Sequence, residues 1–100
     1  MDKVGKEFLF DYGVMAIGVR YLSDHRLAWE RVRGPDAGLK GEETYEFAVI
    51  RRGVYFIWWQ EKDTSVVSQL VDFKKARVYT TWTSPEKQVE SFQGAVTTRD

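Results

Sequence analysis

The stretch Gly53-Val54-Tyr55-Phe56-Ile57-Trp58-Trp59-Gln60-Glu61 decides how the rest of this chain is read. Its middle is an unbroken run of β-branched and aromatic side chains, types that pack well on a pleated surface and crowd the preceding turn of a helix. Arg52-Gly53 precedes it and Lys62-Asp63-Thr64 follows. A short apolar run between two turn signals predicts a strand. Successive side chains of a strand alternate in direction, so Tyr55, Ile57, Trp59 and then Glu61 share one face, with Val54, Phe56 and Trp58 on the other. A closed sheet has one dry face only. Phe56 and Trp58 therefore need cover, from the segment Gly34 to Glu43, from the C-terminal strand or from a second subunit, and a homodimer is expected on that ground.

Working outward, turn-type clusters recur about every ten residues on both sides of this strand, at Tyr12-Gly13, Ser23-Asp24-His25, Gly34-Pro35-Asp36, Lys74-Lys75 and Ser84-Pro85-Glu86. Between them the spacing predicts strands over about 7–11, 14–22, 26–32, 44–51, 54–61, 65–73, 77–83 and 91–98. Most alternate with period two, as in Met15, Ile17, Val19, Tyr21 and in Val78, Thr80, Trp82. A helical repeat is visible only as one short turn within 35–43 or 85–90. Short strands with tight connections predict an all-β fold, a small antiparallel up-and-down barrel of about eight strands, with a two-sheet sandwich as the runner-up.

The 100 residues support one domain over 1–100 with one modest core. Lys plus Arg number 15 and Asp plus Glu 15, so no global field draws phosphate or anionic lipid, and neither nucleic acid nor membrane is expected as a partner. Zero cysteines and one histidine remove thiolate zinc sites, disulfides and Ser-His-Asp or Cys-His catalysis. No metal or cofactor is expected. Asp2, Lys3, Lys6 and Glu7 interrupt the N-terminus, and no apolar run nearby is long enough for a leader or a span. The chain is read as cytoplasmic.

Carboxylates remain as acid-base groups, and Glu61 stands out because alternation sets it beside Trp59 at a barrel mouth. Desolvation there disfavours the anion and leaves a proton donor or acceptor nearer neutrality; the alternative is a solvated strand end before Lys62. Arg31 follows Leu27 and Trp29 on one face and can pair with Glu61 or snorkel to water. Gln69, between Val67 and Val71, and Thr80, between Val78 and Trp82, also share apolar faces and need partners. His25 reads as a solvated turn residue, Gly34, Gly38 and Gly41 as loop flexibility, and Lys74, Lys75 and Arg77 as a solvated basic turn.

Phe8-Leu9-Phe10-Asp11-Tyr12-Gly13, Leu27-Ala28-Trp29-Glu30, the Gly53–Glu61 stretch and Val66-Val67-Ser68-Gln69-Leu70-Val71-Asp72-Phe73 together resemble the MoaF-like domain family. That family is similar in turn to the phenolic acid decarboxylases, within the calycin superfamily of lipocalin-like barrels. The resemblance spans roughly Gly5 to Gly94, and its most specific part is G-x-Y-x-x-x-W-x-E from Gly53 to Glu61. It implies a barrel with a central cavity, and it sets the active-site tryptophan and glutamate of the decarboxylases on Trp59 and Glu61. Their paired first-strand tyrosines fall on Phe8 and Phe10, which cannot hydrogen-bond a carboxylate. Their arginine falls near Leu39 or Lys40, and lysine supplies the charge without the bidentate fork.

Two functional classes follow. The first is a barrel that binds a small apolar or aromatic molecule, lined by Trp29, Phe47, Tyr55, Trp59, Gln69 and Trp82 with Glu61 as polar anchor. The second is a small lyase, isomerase or cyclase in which Glu61 moves a proton while Arg31 or Lys40 orients an anionic group. A ligand-free interaction module with a packed core is the third reading.

Overall fold

The computed structural model describes residues 2–99. Nine strands make one antiparallel sheet: β1 (Glu7–Asp11), β2 (Ala16–Tyr21), β3 (Arg26–Arg33), β4 (Lys40–Thr44), β5 (Glu46–Arg51), β6 (Val54–Gln60), β7 (Val66–Asp72), β8 (Arg77–Thr83) and β9 (Val89–Thr98). Their order is β4-β3-β2-β1-β9-β8-β7-β6-β5. Only Tyr45 separates β4 from β5, so the two edges of the sheet are successive halves of one bent strand. The first half pairs with β3 and the second with β6, and the sheet curls into a nearly closed barrel.

Tyr45 makes the bend. Its backbone N–H donates to the His25 carbonyl at 2.9 Å and its hydroxyl to the Ser23 carbonyl at 2.7 Å, while its ring is fully buried. Both bonds tie the corner to the β2–β3 turn, so the chain leaves β3 there and turns toward β6.

The fold class agrees with the sequence expectation, and the difference lies at this corner. The expected strand over 44–51 begins earlier, as β4, in a segment read as loop or a short helical turn. The described residues contain no helix; 35–38 and 85–86 are turns. Backbone pairing with β3, from Arg26↔Thr44 to Glu30↔Lys40, makes a strand of a sequence with little intrinsic β preference. Because 34–43 is spent on that turn and strand, it does not cover Phe56 and Trp58, which stay 38% and 36% exposed. The C-terminal strand does not cover them either, since β9 lies in the sheet between β1 and β8. No helix among the described residues is long and apolar enough to cross a membrane.

The interior divides along the barrel axis. At the end that holds the β5–β6 and β7–β8 turns, rings fill the lumen. Phe8 and Phe73 lie 4.7 Å apart between centroids, Tyr21 and Tyr45 5.7 Å, and Tyr55 and Phe73 5.8 Å, in tilted and edge-on arrangements. The Tyr55 hydroxyl donates to Asp2, and Lys3 caps the Phe73 ring at 4.9 Å, so the N-terminal segment closes this end. Toward the opposite end the inward residues become Trp29, Trp59 and Trp82 with polar neighbours.

Candidate functional site

The strands that build this indole end each contribute through period-two alternation. β3 points Trp29 and Arg31 inward, β4 points Glu43, and β6 delivers Trp59 and then Glu61 just past its last residue. Glu61 is fixed by its turn: its N–H donates to the Ser65 carbonyl at 2.8 Å, and its own carbonyl accepts from Thr64 at 3.0 Å. The indole of Trp29 has room to lie flat because Gly41 sits opposite, where an added Cβ would stand 3.1 Å from the ring.

Two of the three indoles, Trp29 and Trp59, each hold one carboxylate. Trp29 Nε1 donates to Glu43 Oε2 at 2.9 Å, and Trp59 Nε1 donates to Glu61 Oε2 at 3.2 Å. The Ser65 hydroxyl lies 3.2 Å from Glu61 Oε1 and also reaches Asp63. Burial pushes the Glu61 carboxyl above its usual value; the Trp59 and Ser65 hydrogen bonds offset part of that, and the nearby Glu43 and Asp63 charges add to it. Neither Glu43 nor Glu61 has an ion-pair partner among the described residues.

Deeper in the lumen lies a polar belt. Gln69 and Thr80 are 5% and 8% exposed, and the Tyr12 hydroxyl shares a 2.7 Å hydrogen bond with Thr80. Burial pushes the Tyr12 phenol up to about 12, against the opposing pull of its Thr80 and Gln69 hydrogen bonds. The Tyr21 phenol is raised further by complete burial, with the Tyr45 and Tyr12 phenols adding to it. Three buried polar atoms have no partner among the described residues: Tyr21 Oη, Gln69 Oε1 and Arg31 Nε. Buried polar atoms are ordinarily satisfied, so an unpaired donor and an unpaired acceptor in one lumen mark a place that can take a polar group.

The sequence-predicted residues separate in three ways. Glu61, Trp29, Trp59, Gln69 and Trp82 lie toward the indole end or the belt. Phe47 and Tyr55 belong to the ring-filled end, 6.2 Å apart. Arg31 does not pair with Glu61: its Nη1 reaches the Pro35 carbonyl at 3.3 Å and Asp36 Oδ2 at 3.4 Å, because the 34–39 turn presents an anion closer by. Lys40 is exposed and lines an outer groove of about 740 Å³ with Arg20, Glu30 and Lys62, and no bond joins it to Glu61 among the described residues. His25 stands in its turn with Nδ1 3.2 Å from the Tyr45 carbonyl and 3.5 Å from Glu46. Sequence reasoning missed Glu43, Tyr12 and the Tyr21 hydroxyl. Extending the Tyr45, Phe47 alternation back by two residues points to Glu43.

With this geometry in view, the MoaF-like family model matches residues 4–97. The chain belongs to the MoaF-like family. A crystal structure described as "a putative beta-lactamase from Burkholderia vietnamiensis" is similar to this MoaF-like chain, with a TM-score of 0.91 and 26% identity over 96% of this chain and 94% of that one. No curated protein matches it.

Proposed function

We propose that this MoaF-like barrel is a binding protein for one small, mainly apolar or aromatic molecule, held in the lumen between the polar belt and the three indoles. The observation that carries this reading is the donor and acceptor left unpaired among the described residues, Tyr21 Oη and Gln69 Oε1, in a lumen lined mainly by aromatic and aliphatic side chains. Trp29, Trp59 and Trp82 supply flat apolar walls, and Glu61 anchors a hydroxyl or amine at the mouth. Because rings fill much of this small barrel, the ligand in this reading is compact, smaller than the lipids of calycin-type carriers. A cytoplasmic aromatic metabolite fits that description.

A second reading rests on Glu61 alone. Its raised carboxyl, clamped by Trp59 and repelled by Glu43, is suited to proton transfer in an isomerisation or lyase step. Decarboxylation of the kind seen in phenolic acid decarboxylases is a poorer match, because Phe8 and Phe10 are 6% and 0% exposed within the aromatic core and offer no donor to a substrate carboxylate. The label of the Burkholderia protein transfers poorly as well. The chain's Ser-x-x-Lys spacing, Ser84 to Lys87, lies in the β8–β9 turn, where the Ser84 hydroxyl accepts from the Gln88 N–H at 3.1 Å.

The test is a titration of intrinsic tryptophan fluorescence and amide NMR shifts with a panel of phenols, small aromatic acids and neutral analogues. Saturable responses centred on Trp59 and Gln69 are expected. Gln69→Leu should weaken hydrogen-bonding ligands about tenfold, the loss of roughly one net hydrogen bond. A flat response across the panel refutes the binding reading, and turnover that disappears in Glu61→Gln favours the enzyme.

A further inference from the structure

Pairing registers carry one continuous outward face across β6 to β9, from Phe56 and Trp58 through Leu70 and Tyr79 to Ser91 and Gln93. No Asp, Glu, Lys or Arg points outward on it between the Asp72–Arg77 pair at one end and the 84–88 turn at the other. In a chain that is 30% charged, an exposed sheet face of this extent without a charge is a departure from the rest of the surface. At its centre Phe56, Trp58, Leu70 and Tyr79 remain 38%, 36%, 36% and 43% exposed. The sequence expected these aromatics to be covered, and no segment among the described residues covers them.

The face also has relief. The Phe56 and Trp58 rings stack 5.2 Å apart as a ridge. Beside them runs a shallow groove of about 310 Å³, bordered by Leu70, Tyr79, Phe92 and Gln93. A ridge next to a groove on one face is what a two-fold axis can use, since each copy's ridge then meets the other's groove. Such an axis also sets residues of one copy against the same residues of the other, so any charge near it would meet its like. An uncharged face suits a second copy for that reason, whereas a face made for a different protein ordinarily carries charges that complement the partner.

We infer that two copies of this chain dimerise through the outward face of β6 to β9, the Phe56–Trp58 ridge of each lying in the groove of the other. Strands about 4.8 Å apart, with outward residues about 6.7 Å apart along each, give a β6–β9 patch of roughly 390 Å² per copy, or about 770 Å² over both. That is smaller than a standard interface and implies a weak, reversible dimer. Glu46, opposite Trp58 on β5, then stands at the rim, where a charge is tolerated.

Sedimentation velocity of the full chain over about 5 to 300 μM should show monomer giving way to dimer as concentration rises. Trp58→Ser removes the ridge, and Thr81→Lys sets a charge on the face at an exposed position that plays no part in the core. Each should weaken the dimer at least about tenfold, with thermal unfolding of Thr81→Lys measured at low concentration unchanged. A wild-type chain that stays monomeric across the range overturns the inference. So does a Thr81→Lys chain that dimerises like wild type.

Discussion

Tyr21→Phe tests the lumen most directly, because it changes one oxygen atom and its sign is informative. The Tyr21 ring is fully buried, 6.1 Å from the Phe8 ring and 5.7 Å from the Tyr45 ring, and those contacts survive the substitution. Its hydroxyl has no partner among the described residues. A buried hydroxyl without a hydrogen bond costs about 1 to 3 kcal/mol relative to one in water, so removing it should stabilise the free protein by about 1 to 2 kcal/mol. For a chain of this length that raises Tm by roughly 4 to 8 °C per kcal/mol. Most core substitutions destabilise, by about 1 kcal/mol, so a gain is not the default outcome. Tyr12→Phe is the matched control. It deletes a hydroxyl that is bonded to Thr80 at 2.7 Å, leaves Thr80 unpaired in a buried site, and should cost about 1 kcal/mol or more. Urea denaturation followed by tryptophan fluorescence and far-UV circular dichroism, with m-values compared, gives both numbers. A ligand that uses the Tyr21 hydroxyl should narrow the gap between wild type and Tyr21→Phe. Destabilisation of Tyr21→Phe by 1 kcal/mol or more at unchanged m-value would show that the hydroxyl is satisfied in solution, and would remove the main support for a ligand-binding lumen.

Three further outcomes are expected. Glu61 has its folded carboxyl above the ordinary 4.5, so the unfolded chain ionises first and native stability falls as pH rises from about 4.5 through the raised value; Glu61→Gln, which still accepts from Trp59, should gain stability relative to wild type across that window and none below it, read by chemical denaturation at several pH values. Glu43→Gln keeps the acceptor for Trp29 and removes a like charge, so the Glu61 carboxyl titration followed by NMR should move down toward the ordinary value; an unmoved titration would show the two carboxylates to be uncoupled. At Gly94→Ala the new Cβ would collide with the Asp11 carbonyl oxygen, which belongs to backbone and cannot step aside, so the β1–β9 pairing should lose about 1 to 3 kcal/mol, visible as faster amide exchange at Phe10 and Val96.

What the sequence showed of this structure follows from which forces were local. Val54 to Gln60 carries its own period, its own turns and residues that prefer a pleated surface, and its parity put Ile57 and Trp59 inside. The same parity put Gln69 and Thr80 into the lumen and Glu61 beside Trp59. Lys40 to Thr44 carries none of those signals: Lys-Gly-Glu-Glu-Thr is a strand only because β3 offers it a ladder, and that partner lies across a turn. Arg31 illustrates the other limit. Its inward parity was readable, but whether its guanidinium meets Glu61 or Asp36 depends on how the 34–39 turn folds back, and the nearer anion took it. Unpaired atoms such as Tyr21 Oη are invisible in sequence, because a residue's type states what it can bond and never whether a partner is in reach.

The bend at Tyr45 ties the fold to the site. Glu46 lies opposite Trp58 in the β5–β6 register. Stepping back along the bent strand while stepping forward along β6 brings Tyr45 toward Trp59 and Glu43 toward Glu61, so the two carboxylates meet where the sheet closes on itself. A seam between two sheet edges has fewer ladder hydrogen bonds than any other junction in a barrel, and like charges across it weaken it further. The indoles answer this locally, each giving an N–H to the carboxylate on its own side of the seam. A carboxylate held that way keeps its geometry but not its hydration, which is why the Glu61 carboxyl rises. The place where the sheet closes on itself is thus also the place where burial and a like charge raise the Glu61 carboxyl.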